Sequence, residues 1–110
     1  MRILLIEDEA ALARPLKEHL EADQNIVEWF GTLDEADAAI RTTDYDVVLL
    51  DLTMPGLSGL DTLDRLSTKR PDLPVIMLTA TSGIDTIVQS MRRGAVDFIV
   101  KPANPERVVV

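Results

Sequence analysis

The sequence contains no cysteine, a single histidine and few aromatic residues, which make up 4% of the chain. Without cysteine the chain has no thiol nucleophile, no Cys-ligated zinc or iron–sulfur site and no disulfide. His19 has no second histidine with which to share a metal ion, so we interpret it as a structural or surface residue. We likewise expect Trp29 and Met91 to pack against the core rather than to bind a ligand.

Long hydrophobic runs and an excess of positive charge are also missing. The longest apolar runs are strand-length, such as residues 3–6 and 47–50, whereas a helix that spans a bilayer needs about 20 residues. The chain carries 11 Lys and Arg against 19 Asp and Glu, a formal net charge of −8, which argues against direct binding to nucleic acid. We expect a cytoplasmic protein without a membrane segment or a signal peptide.

What the chain does have is 110 residues, of which 46% are hydrophobic. We expect one globular domain over residues 1–110, with a core that needs neither a disulfide nor a structural metal. Short β-branched or Leu-rich runs alternate with helical patterns, which is typical of a parallel sheet covered by helices on both faces. The predicted strands are residues 2–6, 26–30, 46–50, 74–78 and 97–100.

Four segments between these strands have apolar residues three and four positions apart, the spacing that places one stripe of a helix against a sheet. The stripes are Leu12, Leu16 and Leu20; Leu33, Ala36 and Ile40; Leu60, Leu63 and Leu66; and Ile84, Ile87, Val88 and Met91. Residues 32–35 form a capping box, Gly94 is placed to end the fourth helix, and Pro15 should bend or delay the first. A helix beginning near Pro105 is expected to be truncated by the end of the chain.

Polar side chains follow the apolar runs of four predicted strands. Glu7 and Asp8 follow the first, Asp51 the third, Thr79 the fourth and Lys101 the fifth. In a doubly wound sheet, ligands bind at the carboxyl ends of the strands, where the strand order reverses. We therefore expect three carboxylates, one hydroxyl and one ammonium to converge in one pocket.

The chemistry of this set favours phosphoryl transfer. Three carboxylates in one pocket repel one another unless a cation intervenes, and Mg²⁺ binds carboxylate oxygens, keeps several waters and commonly bridges to a phosphate. The Lys101 ammonium and the Thr79 hydroxyl suit the remaining oxygens of a phosphoryl group. Asp51 is the best placed nucleophile, because it ends the central strand and a Pro- and Gly-containing loop follows it at residues 53–59.

Four segments of the chain form a recognisable series: LLIEDE at 4–9, VVLLDLTMPGLSGLD at 47–61, PVIMLTA at 74–80 and GAVDFIVKP at 94–102. In this order, with 28 residues from Asp51 to Thr79 and 22 from Thr79 to Lys101, they resemble the receiver domain of bacterial two-component response regulators. The resemblance covers essentially the whole chain. It implies an α/β, flavodoxin-like, five-stranded parallel sheet of strand order 2-1-3-4-5 with helices on both faces.

The resemblance also implies a role for each residue of the metal and acceptor site. Asp51 would accept phosphate from the phosphohistidine of a histidine kinase. Asp8 and Asp51 would ligate Mg²⁺ directly, Glu7 would act through a water, and Thr53 would offer its backbone carbonyl. Glu7 replaces the Asp that is commoner in the family at this position.

Further roles concern the switch and the phosphate. Thr79 would be the switch hydroxyl, Lys101 the cation that pairs with phosphate, and Phe98 the switch aromatic, where the family often has Tyr. The small Ala80 would leave the phosphoryl group accessible, and the Lys101–Pro102 peptide bond would be cis.

Two other functions stay open beside a signalling receiver that catalyses only its own phosphorylation and dephosphorylation. A phosphatase with an Asp nucleophile usually has a second Asp two positions later, where this chain has Thr53. An interaction module that works without phosphorylation usually lacks the acceptor or the lysine, and both are present here. An FMN carrier is disfavoured, because acidic residues in the first loop would repel the phosphate of the cofactor.

The expected partners are a sensor histidine kinase or phosphotransfer protein and a C-terminal output domain beyond residue 110, with neither nucleic acid nor a membrane as a direct partner. A truncated fifth helix would uncover apolar surface on the fourth helix and the fifth strand. We therefore predict a homodimer through the face formed by the fourth helix, the fifth strand and the fifth helix, with Ile87 and Val88 in the contact.

Overall fold

A computed structural model gives the structure of residues 1–51, 59–79 and 84–100. Strands and helices alternate throughout these ranges. In chain order they are β1 (Arg2–Ile6), α1 (Ala10–Ala22), β2 (Ile26–Phe30), α2 (Leu33–Thr42), β3 (Val47–Asp51), α3 (Gly59–Lys69), β4 (Val75–Thr79), α4 (Ile84–Arg92) and β5 (Asp97–Val100). The predicted fifth helix lies outside the described residues.

The five strands form one parallel sheet of order β2-β1-β3-β4-β5, which confirms the predicted fold class. β1, β2 and β5 have the predicted bounds, whereas β3 and β4 each begin and end one residue later than predicted. The reason is that Asp51 pairs with Leu78, and Thr79 pairs with Val100, as members of the sheet. Both polar residues are thus the last residues of strands rather than the first of loops.

The sheet is buried on both faces by two separate hydrophobic clusters. Alternate residues of each strand point to opposite faces, so that Leu4 and Ile6 join one cluster and Ile3 and Leu5 the other. The first cluster includes Leu33, Ala36, Ile40, Val48, Leu50, Leu63, Leu66 and Met77. The second includes Ala13, Leu16, Leu20, Val27, Val47, Leu49, Ile76, Leu78 and Ile99. Burying one such aliphatic side chain contributes about 1.5–3 kcal/mol, so the two clusters fix the rigid sheet that carries the strand ends.

Helix α1 differs from its prediction in two details. It begins at Ala10 and continues through Pro15, so proline does not delay it. Its buried stripe contains Ala13 with Leu16 and Leu20, whereas Leu12 is only half-buried. The small Ala13 faces the sheet because it lies three residues before Leu16, one helical turn away.

Helix α2 follows its prediction closely. The Thr32 hydroxyl accepts a hydrogen bond from the Glu35 backbone N–H at 3.3 Å and donates one to the Glu35 carboxylate at 2.9 Å, so these two residues cap the helix. Leu33, Ala36 and Ile40 are all buried. In the following helix, the predicted stripe residues Leu63 and Leu66 are buried as well.

Helix α4 departs most from its prediction. Val88 and Met91 are 40% and 43% exposed, whereas Ser90 is fully buried. The apolar stripe predicted through Val88 and Met91 is therefore wrong for these two residues, which lie on the outer flank of the helix. Gly94 ends the turn after the helix at a φ of +114°, as expected of a C-terminal cap, and a Cβ there would come within 2.7 Å of the Ser67 hydroxyl oxygen.

The four described helices are too short or too polar to cross a lipid bilayer.

Candidate functional site

The carboxyl ends of β1 and β3 lie side by side at the centre of the sheet. Ile6 is level with Leu50 in the parallel register. The residues that follow them, Glu7 and Asp51, therefore lie at the same edge of the sheet. The strand order reverses here, because β2, the next strand in the sequence, lies on one side of β1 and β3 lies on the other. Ligands of doubly wound sheets bind at such a point.

Three acidic side chains meet at this edge. Carboxylate oxygens of Glu7, Asp8 and Asp51 all lie within 4.8 Å of one another. Glu7 and Asp51 are each 1% exposed, whereas Asp8 is exposed to solvent. Two carboxylates of the cluster are therefore buried and the third faces water. An ion can reach the buried pair from the solvent beside Asp8.

The donor set fits a hard divalent cation. Buried carboxylates are stabilised by a bound cation, since an isolated charge in a protein interior is costly. Mg²⁺ takes oxygen ligands and needs only one or two carboxylates, because it retains several waters. Three carboxylate oxygens on a rigid sheet edge, with Asp8 open to solvent, meet these requirements.

Glu7 holds the loop that carries Asp8. The Glu7 carboxylate accepts a hydrogen bond from the Glu9 backbone N–H at 3.1 Å, and Glu9 occupies the N-cap position of α1. The Glu7 backbone N–H donates to the Phe30 carbonyl oxygen on β2 at 3.1 Å. Glu7 thus connects the end of β1 to both α1 and β2. Its position directly after a strand in the sequence did not predict this role.

A tryptophan also contacts this strand end, which sequence analysis missed. The Trp29 indole N–H donates to the Glu7 backbone carbonyl oxygen at 2.7 Å. The sequence carries no signal for such a bond, because the acceptor is a backbone atom 22 residues away in the chain.

The other predicted site residues lie partly outside the described residues. Thr79 is the last residue of β4, one strand from Asp51, and nothing is described of its side chain. Thr53, Lys101 and the Lys101–Pro102 peptide bond lie outside the described residues, as does Ala80.

Phe98 is the other predicted switch residue that the structure describes. It lies on β5, level with Met77 of β4, and its half-buried ring packs against the cluster that contains Met77. The ring therefore lies in a partly covered position, with side-chain neighbours on the sheet and exposure on its outer side.

A second polar cluster lies near the amino ends of β1 and β3 and beside the middle of β2. The Arg2 guanidinium donates to the Glu28 carboxylate at 3.0 Å, and the Arg2 backbone N–H donates to the Asp46 carboxylate at 2.7 Å. The buried Tyr45 hydroxyl donates to the other Glu28 carboxylate oxygen. Burial, together with the Glu28 carboxylate, raises the pKa of Tyr45 to about 12. Since these groups bind one another, we interpret this cluster as structural.

Comparison with known proteins identifies the family. The sequence-family model of the response regulator receiver domain matches residues 3–110. The chain is 38% identical over 109 residues to the regulatory protein LuxO of Vibrio cholerae, covering 96% of this chain and 23% of LuxO. It is 36% identical over 107 residues to the alginate biosynthesis transcriptional regulatory protein AlgB of Pseudomonas aeruginosa, covering 97% of this chain and 24% of AlgB. The chain thus spans about a quarter of the length of these two relatives.

A solved structure gives the same result for the fold. A CheY-like response regulator receiver domain protein from Methanospirillum hungatei superposes with a TM-score of 0.90 at 31% sequence identity, over 97% of this chain and 86% of that one. The similarity therefore extends over the whole sheet and the helices around it.

Proposed function

The chain belongs to the response regulator receiver domain family, and we propose that residues 1–110 form one signalling domain that accepts a phosphoryl group on Asp51. The donor is the phosphohistidine of a sensor histidine kinase or of a phosphotransfer protein. The observation that carries this proposal is the meeting of the Glu7, Asp8 and Asp51 carboxylates within 4.8 Å at the carboxyl edge of the sheet.

The transfer forms one bond and breaks one bond. A carboxylate oxygen of Asp51 attacks phosphorus, the phosphorus–nitrogen bond to the histidine of the kinase breaks, and its electron pair stays on the ring nitrogen. Because the phosphohistidine is protonated on its other ring nitrogen, the imidazole leaves neutral. Asp8 and Asp51 would hold Mg²⁺ directly with the Thr53 backbone carbonyl, and Glu7 would act through a water. Bound there, Mg²⁺ would neutralise the charge on the phosphoryl oxygens.

Three further residues would respond to the acyl phosphate and change the shape of the protein surface. Lys101 would pair with the phosphoryl oxygens, and the Thr79 hydroxyl would move toward them. Phe98 would then turn into the space that Thr79 vacates. The half-buried Phe98 ring, packed beside Met77, supports this step, because it already lies between the core and the surface. The cis Lys101–Pro102 bond stays a prediction.

The domain would catalyse only its own phosphorylation and dephosphorylation and would control an output domain. LuxO is named a regulatory protein and AlgB a transcriptional regulatory protein, and this chain matches about a quarter of each. By analogy we propose that this domain regulates transcription through an output domain, in the cytoplasm, without contacting nucleic acid itself.

We also propose a homodimer through the face of α4, β5 and the predicted fifth helix. Val88 and Met91 of α4 and Val96, the residue before β5, support it, since they are apolar and 40%, 43% and 55% exposed. Ile87, expected in the same contact, has a side chain outside those described.

Phosphorylation by acetyl phosphate tests the acceptor. With Mg²⁺, the intact mass of the parent should increase by one phosphoryl group, and Asp51→Asn or EDTA should abolish the increase. Asp46→Asn is the matched control, since Asp46 lies just before the other end of β3 and should not change the result. An equal mass increase in Asp51→Asn would show that another residue is the acceptor. A parent that binds its kinase without taking up phosphate would instead indicate an interaction module that works without phosphorylation.

A further inference from the structure

Trp29 is the sole tryptophan of the chain, and its indole reaches the edge of the candidate cation site. The residue lies on β2, where its half-buried ring packs against the hydrophobic cluster that contains Leu5 and Val27. From this position the indole N–H donates to the Glu7 carbonyl oxygen at 2.7 Å. Packing and hydrogen bonding therefore act on the same side chain, which restricts where the indole can lie.

The indole extends the pairing between β1 and β2 by one hydrogen bond. The register of the two strands ends at Ile6 opposite Phe30, and the Glu7 N–H still donates to the Phe30 carbonyl at 3.1 Å. After Phe30 the chain leaves the sheet through Gly31 toward the cap of α2 at Thr32. A side-chain donor from Trp29 thus binds the Glu7 carbonyl at the point where β2 turns away.

The bound carbonyl belongs to the peptide unit that joins Glu7 to Asp8. Glu7 is held at its N–H by Phe30, at its carboxylate by the Glu9 N–H, and at its carbonyl by Trp29. The last of these contacts restrains the orientation of the planar peptide unit that joins Glu7 to Asp8. The Asp8 carboxylate, which lies within 4.8 Å of that of Asp51, is carried by the residue that follows this restrained peptide unit.

We propose that Trp29 is a positioning residue for the Mg²⁺ site: its indole N–H holds the Glu7–Asp8 peptide so that the Asp8 carboxylate faces Asp51. The inference rests on the proposed function, in that Mg²⁺ is the ion bound by the acidic cluster. Trp29 itself touches neither the ion nor the phosphoryl group in this role.

Nuclear magnetic resonance with Mg²⁺ titration tests the proposal. In the parent, the single indole N–H resonance should shift during the titration and give the same Kd as the Asp8 backbone amide. Trp29→Phe, which keeps an aromatic ring and removes the donor, should raise the Kd about fivefold, as expected for one hydrogen bond. Replacing tryptophan by benzothienylalanine, in which sulfur replaces the N–H, should do the same with less change in packing. 5-Fluorotryptophan, which keeps the N–H, should retain the parent Kd.

Val27→Ala is the matched structural control, because Val27 lies two residues earlier on the same strand and packs in the same cluster. It should lower the melting temperature and leave the Kd for Mg²⁺ unchanged. If Trp29→Phe and the benzothienylalanine protein bind Mg²⁺ like the parent, or if Val27→Ala weakens binding equally, the positioning role is wrong while the Mg²⁺ site stands. A parent with no response to Mg²⁺ overturns the ion assignment of the proposed function and the positioning role with it.

Discussion

The two ends of β1 and β3 both have acidic residues beside them, but within the described part of the chain those residues have different neighbours. At the amino ends, Asp46 accepts from the Arg2 backbone N–H, and the Arg2 guanidinium and the Tyr45 hydroxyl donate to the carboxylate of Glu28 on the neighbouring β2. At the carboxyl ends, three carboxylates lie within 4.8 Å of one another. Among the described residues, one end of the strands therefore pairs carboxylates with hydrogen-bond donors, and the other places three carboxylates together.

This difference separates a structural cluster from a functional one. A carboxylate with a cation or hydroxyl donor beside it contributes to stability without any added ion. Like charges a few ångströms apart cost free energy that the rest of the fold must offset, and the cost falls when a cation binds. The contribution of the carboxyl-end residues to the free energy of unfolding should thus change with Mg²⁺, whereas the contribution of the amino-end residues should not.

Mg²⁺ should give the largest effect. At about 100 times its Kd, the ion should raise the free energy of unfolding of the parent by about 2.7 kcal/mol, because it binds the folded state alone. Asp8→Ala should lose this gain, whereas Arg2→Ala at the opposite end should keep it. Urea denaturation in Mg²⁺ and in EDTA measures both. An equal gain in Asp8→Ala would mean that the ion binds elsewhere.

Breaking the amino-end cluster should cost nearly as much. Glu28→Ala should lower the free energy of unfolding by about 2 kcal/mol, because the buried Tyr45 hydroxyl and the Arg2 guanidinium both lose an acceptor. The loss should be the same with and without Mg²⁺ in chemical denaturation. Glu28→Gln keeps an acceptor and should lose less than half as much. A loss that depends on Mg²⁺ would contradict the independence of the two ends.

Alkaline pH should weaken the same cluster. The pKa of Tyr45 is raised from its usual 10.0 to about 12, so the folded state favours the neutral phenol. The contribution of Tyr45 is complete below pH 10 and is lost as the pH rises toward 12. By pH 11 the loss should be about 1.4 kcal/mol.

Tyr45 is the sole tyrosine, so tyrosinate absorbance reports its pKa directly. Denaturation curves for the parent and Tyr45→Phe, compared at neutral pH and pH 11, isolate its contribution to stability. A midpoint near 10 in the folded protein would rule out the proposed burial effect.

An Asp-to-Ala substitution should change the free energy of unfolding in opposite directions at the two ends. In EDTA, Asp8→Ala should raise the free energy of unfolding by about 1 kcal/mol, because it removes one of three like charges. Asp46→Ala should lower it by a similar amount, because the Arg2 backbone N–H loses its acceptor at 2.7 Å. Parallel urea curves decide the signs, and a loss of stability in both variants would show that repulsion at the carboxyl end is negligible.

Hydrophobic periodicity predicted the strands better than it predicted one of the helices. β1, β2 and β5 have the expected bounds and β3 and β4 are displaced by one residue, because short apolar or β-branched runs bounded by polar or turn residues mark each strand. In α4, Val88 and Met91 are exposed and Ser90 is buried, although spacing alone placed the two apolar residues on the inner face. A helix stripe is wide, and the neighbours that cover it decide which flank is buried.

The acidic cluster was predictable for a similar reason, whereas the contacts that support it were not. Glu7, Asp8 and Asp51 each follow an apolar run, and parallel strands bring their carboxyl ends to one edge. The Trp29–Glu7 and Tyr45–Glu28 hydrogen bonds join residues 22 and 17 positions apart, and no local pattern marks either pair.

The order of apolar runs, the helical spacing and the residues at the strand ends determined by themselves the α/β sheet and the place where acidic groups meet. They did so because period and chain order are local properties that fix which edge of a parallel sheet a residue occupies. Only the tertiary structure decided that Trp29 binds the end of β1 and that Tyr45 lies buried against Glu28. These contacts depend on the register between strands and on side-chain direction, which arise when the two faces of the sheet are packed.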